Sequence, residues 1–135
     1  MKKEEIRFEL DKICESRITK LDFDILSNSI ILTLEFADNL DNRIKMLKFE
    51  NVSSYYFANN IKEKRKDFIH FEKGDYLEIT TIDIIDGYVT IKPSAFEKWI
   101  EQYEISANVA IEIWSRILLI EASKIFIGDK EFDLI

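Results

Sequence analysis

Hydrophobic residues recur every three or four positions in the first fifteen residues and at every second position over much of the chain that follows. In residues 2–15, lysines and glutamates separate the apolar residues, which is the pattern of an amphipathic helix. From Ile18 the period changes to two, which indicates half-buried β-strands. The helical spacing is carried by Ile6, Leu10, Ile13 and Cys14.

The first alternating segments predict a β-hairpin. Residues 18–25 and 30–36 alternate apolar and polar side chains on either side of a turn at residues 27–29, Ser-Asn-Ser. The polar residues 37–42 are predicted to form a loop. The apolar residues from Ile44 to Phe49 change parity, which a bulge near Met46 would reconcile, and residues 52–57 are predicted to form another short strand or a turn.

A second hairpin is predicted at Asp86-Gly87. This dipeptide separates residues 76–85 from residues 88–91, both rich in β-branched side chains, and Asp-Gly favours a tight hairpin turn.

A short helix is predicted after this hairpin. Pro93 ends the preceding strand, and Ser94 with Glu97 three residues later has the spacing of a capping box. The helix is expected to continue through Tyr103.

The last third of the chain allows two interpretations. As a helix, residues 106–126 are apolar almost all round, which suits only a fully buried helix. As strands, the apolar residues from Ile105 to Ile113 share one parity, and the β-branched content favours that state. We therefore expect strands, with a break near Ser115-Arg116, a turn at Gly128-Asp129 and a closing strand at residues 132–134.

The predicted fold class is α+β. Seven to nine strands in succession, with an N-terminal amphipathic helix and one short helix near residues 94–103, indicate a mainly antiparallel sheet. No strand–helix–strand alternation supports a parallel doubly wound sheet. The length of 135 residues is that of one domain, so residues 1–135 are expected to share one core.

Residue counts argue against most cofactor and metal sites. One Cys and one His cannot supply the four ligands of a structural zinc site, and three well-separated glycines form neither a dinucleotide fingerprint nor a phosphate loop. His70 alternates with Ile69 and Phe71, so it is expected on a strand face. We predict no cofactor, no metal and no catalytic residue. A hydrolase or ligand-binding domain with a carboxylate-lined pocket remains the alternative, because 26 acidic residues allow many pairs.

Cysteine usage and hydropathy predict the compartment. Cys14 has no partner for an internal disulfide, no secretory leader pattern opens the sequence, and no apolar stretch approaches the roughly 20 residues that cross a bilayer. We expect a cytoplasmic protein without membrane association.

The charge distribution indicates the kind of partner. The net charge is −7, and residues 68–135, with 6 basic and 13 acidic side chains, carry all of the excess. Such a field repels nucleic acid and steers a basic protein towards it, although the same charge could serve solubility alone. The expected partner is a basic protein; the oligomeric state stays open.

The predicted partner-binding residues combine aromatic rings with glutamates. Trp and Tyr are enriched at binding hot spots, and acidic neighbours suit a cationic partner. In the predicted helix, Glu97 and Glu101 would form an i,i+4 like-charge pair that a docking cation relieves. The predicted set is Glu97, Trp99, Glu101, Tyr103, Glu104, Glu112 and Trp114.

Three segments resemble a known family. Residues 32–36 (LTLEF), 47–55 (LKFENVSSY) and 120–127 (IEASKIFI) are similar to segments of small proteins of Gram-positive bacteria, the YxiG-like and related families often regarded as candidate immunity proteins for polymorphic toxins. The resemblance implies a non-enzymatic cytosolic protein that neutralises a toxin by binding it. It implies no particular functional residue.

Overall fold

The computed structural model describes residues 3–36 and 46–135. One α-helix, eight strands and two 3₁₀ turns follow one another along the chain. The turns lie at Lys62–Lys66 and Lys98–Gln102. The other elements are α1 (Lys3–Asp11), β1 (Arg17–Asp24), β2 (Ser29–Glu35), β3 (Met46–Ala58), β4 (Leu77–Glu78), β5 (Thr81–Ile91), β6 (Ile105–Ile113), β7 (Arg116–Ile127) and β8 (Lys130–Asp133).

All strand pairs in the described residues are antiparallel and belong to one sheet. The strand order is β4-β1-β2-β3-β7-β6-β5, and β8 pairs with β7 outside this path. Strands account for 53% of the described residues, and the α-helix and 3₁₀ turns together for 15%, which confirms the mainly antiparallel α+β class. The strand interpretation of residues 105–127 is confirmed as well. The predicted hairpin of β1 and β2 and the turn at Gly128-Asp129 are also confirmed. The predicted loop at residues 37–42 lies outside the described residues.

The two ends of the strand path meet at residues 79 and 80. β4 pairs with β1 and β5 pairs with β6, and these two residues join β4 to β5. The Ile79 backbone N–H donates to the Ser16 carbonyl at 3.0 Å, and the Thr80 N–H donates to the Glu112 carbonyl at 2.8 Å. The sheet therefore curls into a half-barrel whose concave side holds the core.

Helix α1 packs its apolar side into this core. Ile6 and Leu10 of α1 are fully buried together with residues from six strands, as the helical spacing predicts. The helix ends at Asp11 rather than near Glu15 as predicted, and Ile13 is buried from the turn that follows it. Cys14 is partly buried against the same core, and burial raises the pKa of its thiol. With nine residues, α1 is the longest helix in the described part of the chain, and no helix there is long and apolar enough to cross a membrane.

Ion pairs attach the polar side of α1 to the sheet. Arg7 Nε lies 2.8 Å from Asp83 Oδ1, and its Nη2 donates to the Ile84 carbonyl at 2.7 Å. At the other side of the helix, the buried Glu9 carboxylate accepts hydrogen bonds from Lys130 and Lys12. These two ammonium groups lower the pKa of Glu9, with Lys130 making the larger contribution.

Strand β7 changes its neighbour halfway along. On one edge it pairs with β3 along its whole length, and on the other it pairs with β6 up to Ile120 and with β8 from Lys124. Where β7 changes its neighbour, the buried side chain of Asn108 forms hydrogen bonds with the backbone of Ala122. Asn108 Nδ2 donates to the Ala122 carbonyl at 2.8 Å, and the Ala122 N–H donates to Asn108 Oδ1 at 3.1 Å.

The predicted hairpin at Asp86-Gly87 is wrong. β5 runs on through these residues and stays paired with β6 on both sides of them, with Ile84 opposite Val109 and Val89 opposite Ala107. Residues 85–88 form a bulge in which Gly87 has a φ of +75°. The turn chemistry of Asp-Gly is thus used inside one strand, and the bulge presents Asp86 to Lys3 of α1 at 2.7 Å.

The predicted short helix is a 3₁₀ turn, and its capping box does not form. The turn begins after Glu97, whose side chain caps nothing, and Glu101 Oε1 instead accepts the Ala95 N–H at 3.2 Å. Five residues of 3₁₀ geometry do not give the α-helical i,i+4 spacing, so the predicted Glu97–Glu101 repulsion loses its basis.

Candidate protein-interaction surface

The predicted partner-binding residues fall into two groups at opposite ends of β6. Residues 97–104 precede this strand, whereas Glu112 and Trp114 lie at its far end. Glu112 lies seven positions after Ile105 along the strand, a distance of roughly 23 Å at 3.3 Å per position. Neighbours in sequence are therefore distant in space, and the structure does not bring the predicted set together.

The first group lies on the connection between β5 and β6, residues 92–104, which we call the aromatic connection. Three of its rings face solvent: Phe96 is 96% exposed, Trp99 61% and Tyr103 68%. Trp99 and Tyr103 contact each other edge to face, with ring centroids 6.4 Å apart. Phe96 is not among the partner-binding residues predicted from the sequence. The sequence feature that could have indicated its exposure is its place at the start of a predicted helix that is too short to bury it.

The three glutamates of the aromatic connection have different surroundings. Glu101 accepts the Ala95 N–H and lies 3.2 Å from Lys98 Nζ, so it holds the turn together. Glu97 and Glu104 are exposed and form no ion pair with any residue of the described ranges. Two carboxylates beside the exposed rings are therefore available to a partner.

The second group lies where the two ends of the curled sheet meet. Trp114 lies in the β6–β7 turn, where its backbone N–H donates to Thr80 Oγ1 at 2.9 Å. Its ring contacts Tyr76, with the centroids 5.9 Å apart. Since the Glu112 carbonyl accepts the Thr80 N–H, both residues join the two ends of the sheet. They are placed for structure, and their contribution to a binding face stays a prediction.

Other acidic residues of the second half are already paired with α1 or β7. Asp86 binds Lys3, which lowers the pKa of the carboxylate, and Arg7 contributes further. Asp83 binds Arg7. On β8, Glu131 and Asp133 lie 3.6 and 4.0 Å from Lys124. Part of the negative excess thus serves internal contacts rather than a binding face.

β3 has an open edge that the sequence pattern did not predict. β2 accompanies β3 only as far as Phe49, and Val52 makes one further backbone bond, to the Asn28 carbonyl. From residue 53 to 58 the edge away from β7 has no backbone partner among the residues described. A cleft of about 160 Å³ lies between this edge and the β1–β2 turn. The sequence feature that could have indicated this open edge is composition, because residues 51–60 contain no charged side chain.

His70 and Cys14 have different surroundings in the described structure. His70 lies in an exposed irregular segment between the first 3₁₀ turn and β4, so its predicted place on a strand face is wrong. The raised pKa of Cys14 disfavours the reactive thiolate. Within residues 3–36 and 46–135, no group of three or more His, Cys, Asp or Glu side chains is arranged to hold a metal ion.

Comparison with known proteins identifies a family for the chain. A family model described as YxiG-like protein matches residues 6–132, which is nearly the whole sequence. No curated protein matches the chain.

Proposed function

The chain belongs to the YxiG-like family, and on that premise we propose that it is an immunity-type protein, a cytoplasmic, non-enzymatic module that neutralises a cognate basic toxin by binding it. The choice of a protein partner rests on the surface of the molecule.

The observation that carries the proposal is the exposure of three aromatic rings on one short connection. Phe96, Trp99 and Tyr103 are each more than 60% exposed to solvent. Burying a ring of this kind contributes about 2 kcal/mol, and grouped exposed aromatics are typical of binding hot spots. The aromatic connection is therefore the proposed contact surface.

Charge supports a basic partner. Glu97 and Glu104 flank the rings and form no ion pair with the residues that the structure describes, and residues 68–135 carry the whole net charge of −7. Acidic groups at the rim of an interface act mainly by raising the association rate and by selecting against acidic proteins. A complex formed in this way weakens as salt screens the charges.

The alternative, a hydrolase or ligand-binding domain with paired carboxylates, has less support. The cleft beside β3 contains one carboxylate, Asp24, and a second cleft, beside β4, contains one, Asp75. Neither cleft supplies the pair that the alternative needs.

Partner capture tests the proposal. The full chain serves as bait in a lysate of its native host at low and high salt, and the captured protein is then purified. We expect one basic protein, bound more tightly at low salt. Absence of any stable protein partner at low salt would contradict the proposal.

Variants then locate the contact surface with the purified partner. Trp99→Ala and Tyr103→Ala should each weaken binding tenfold or more, measured by biolayer interferometry. Phe68→Ala is the matched control, because Phe68 is 71% exposed but lies outside the aromatic connection. Equal effects of all three substitutions would move the contact surface elsewhere.

Charge reversal tests the electrostatic step. Glu97→Lys with Glu104→Lys should slow association severalfold and flatten its salt dependence, with the melting temperature within a few degrees of wild type. Glu35→Lys with Glu63→Lys changes the net charge equally at exposed sites outside the connection and should have a smaller effect. Identical kinetics for the two double variants would refute a local role of Glu97 and Glu104.

A further inference from the structure

The open edge of β3 is the least protected strand edge in the described part of the chain. Its residues 53–58, Ser-Ser-Tyr-Tyr-Phe-Ala, contain no charged side chain and no proline. In contrast, β1 beyond Ile18 and β8 each carry three charged side chains, and β5 is bound by Arg7 and Lys3 of α1. Charges and covering elements are common means by which proteins keep strand edges from pairing with another chain.

The open edge also leaves rings of the core side uncovered. Tyr55 lies opposite Ile120 and Phe57 opposite Leu118, and both of these β7 residues are fully buried. Because directly opposite residues of an antiparallel pair share a face, Tyr55 and Phe57 lie on the core side of the sheet. Phe23 stacks on the Tyr55 ring, yet Tyr55 and Phe57 are still 40% and 46% exposed. A further strand along this edge would therefore bury apolar surface as well as pair the backbone.

An unpaired strand edge selects another strand as its ligand. In residues 54–58, alternate residues direct their N–H and carbonyl groups away from β7, and none of the described residues pairs with them there. Groups of this kind pair with an added strand in β-augmentation. The ligand that this edge favours is an extended, uncharged segment with aromatic side chains.

Residues 54–58 are complementary to a second copy of themselves. Opposite residues share a face, and a two-fold axis perpendicular to the sheet keeps each residue of the copy on its original face, so one residue must lie opposite its own copy. With Tyr56 in this position, residues 54–58 pair throughout, and Val52 keeps its bond to the β1–β2 turn. Tyr55 then lies opposite Phe57 of the second copy on the core side, and the two Tyr56 side chains lie opposite each other on the outer side. All six rings thereby gain an aromatic cross-strand neighbour, which is a favourable pair in sheets.

The charge near this edge does not oppose a second copy. Residues 51–60 are uncharged, and residues 1–67 contain 13 basic and 13 acidic side chains, a net charge of zero. The negative excess of the chain lies in residues 68–135. Two copies that meet at β3 therefore bring together neutral segments rather than like charges.

We propose that the open edge of β3 binds a second copy of this chain, with residues 54–58 of the two copies paired antiparallel about Tyr56. The two sheets then continue into one another across the contact. So short a pairing belongs to the small class of interfaces, below about 1,200 Å² in total, and we expect a weak dimer with a Kd in the micromolar range. The edge is level with residues 109–112 of β6, away from the aromatic connection, so the dimer does not depend on the proposed function.

Analytical ultracentrifugation of the full chain across the micromolar range tests the proposal. We expect a reversible monomer–dimer equilibrium that strengthens with salt, because each copy carries a net charge of −7 and salt screens the repulsion between the copies. The complex with a basic partner should show the opposite salt dependence, so failure of one proposal is distinguishable from failure of the other. A chain that stays monomeric throughout this range at high salt would overturn the dimer.

Hydrogen exchange locates the contact. Amides of residues 54–58 should exchange more slowly in the concentrated dimer than in the dilute monomer, whereas those of the exposed residues 68–71 should exchange equally in both. Protection confined to other strands would place the dimer contact elsewhere and refute the proposal. Protection of residues 54–58 only after addition of a captured protein partner would assign the edge to a strand of that partner instead of a second copy.

Tyr56→Lys and Tyr56→Glu test the register. Each variant places two like charges opposite each other at the two-fold axis, so each alone should raise the Kd of the dimer at least tenfold. An equimolar mixture should dimerise again, because a lysine of one copy then faces a glutamate of the other. Tyr88→Lys is the matched control, since it makes the same change at an exposed tyrosine of β5 and should dimerise as wild type does.

Circular dichroism establishes that each of these variants is folded. Equal weakening of the dimer by Tyr56→Lys and Tyr88→Lys would show that residue 56 has no special place in the contact. A mixture of the folded Tyr56→Lys and Tyr56→Glu variants that stays monomeric would likewise rule out pairing about Tyr56.

Discussion

Asn108→Ala should destabilise the fold more than any single change at an exposed position. The Asn108 side chain is 5% exposed and makes two hydrogen bonds to the backbone of Ala122, one as donor and one as acceptor. It does so where β6 leaves β7 and β8 replaces it. Alanine at this position leaves the buried N–H and carbonyl of Ala122 without partners.

The magnitude follows from these two groups. Each buried polar group left unpaired costs about 1–3 kcal/mol, so the loss of partners for two groups should lower the free energy of unfolding by roughly 2–6 kcal/mol. This is a large part of the 5–15 kcal/mol that typically stabilises a domain. Asn108→Asp should also destabilise at neutral pH, because a carboxylate accepts the Ala122 N–H but places a second oxygen against the Ala122 carbonyl.

Urea unfolding followed by circular dichroism measures the loss. The control is Gln102→Ala, which removes an exposed amide with one bond to the Trp99 carbonyl and should change the free energy by less than about 0.5 kcal/mol. A loss below about 1 kcal/mol for Asn108→Ala, with an unchanged m-value, would refute the reasoning. Ala122 would then have found other partners.

Three further changes are expected to have measurable effects. Glu9→Gln should flatten the pH dependence of stability. Because the pKa of Glu9 is lowered in the folded state, the Glu9 carboxylate contributes to the free energy of unfolding above its ordinary pKa, near 4.5, and this contribution is lost as the pH falls through the folded-state value. Urea midpoints of the two proteins should therefore converge as the pH falls from 6 to 3, and parallel curves would contradict this. Gly87→Ala should cost about 1 kcal/mol of unfolding free energy, because the φ of +75° is strained for alanine although a Cβ there meets nothing within 4 Å. A melting temperature equal to wild type would show that the bulge relaxes. Cys14→Ala with His70→Ala should leave partner binding unchanged and lower the unfolding free energy by about 1 kcal/mol, and weaker binding by the folded double variant would assign one of them to the interface.

Local patterns predicted most of the strands, because alternation and turn residues depend on neighbours in sequence. The parity of residues 105–113 and the turn at Gly128-Asp129 gave β6, β7 and β8 correctly. Asp86-Gly87 misled the prediction because the dipeptide specifies a bend but not the strand that follows it. Pairing with β6 on both sides of the bend is a tertiary property.

The candidate sites could be predicted only in part. The exposed rings Trp99 and Tyr103 were recognised from residue type, but Trp114 was joined to them on sequence proximity, which an extended strand turns into distance. The contacts of Arg17 with Tyr76 and of Arg116 with Phe71 join the starts of β1 and β7 to the segment before β4, so no local pattern reveals them. Spacing along the chain contains no information about such a meeting.

The long ladder between β3 and β7 has a kinetic consequence. It joins Leu47 to Ile127 and Ala58 to Ile117, so each pair closes a loop of about sixty to eighty residues. Such contacts come late and slowly, since the chain entropy lost in closing the loop precedes the gain from pairing. Opening β7 in turn requires separation from β3, β6 and β8 together. Its amide hydrogens should therefore exchange with solvent only through global unfolding, while those of the two-residue β4 exchange through local opening.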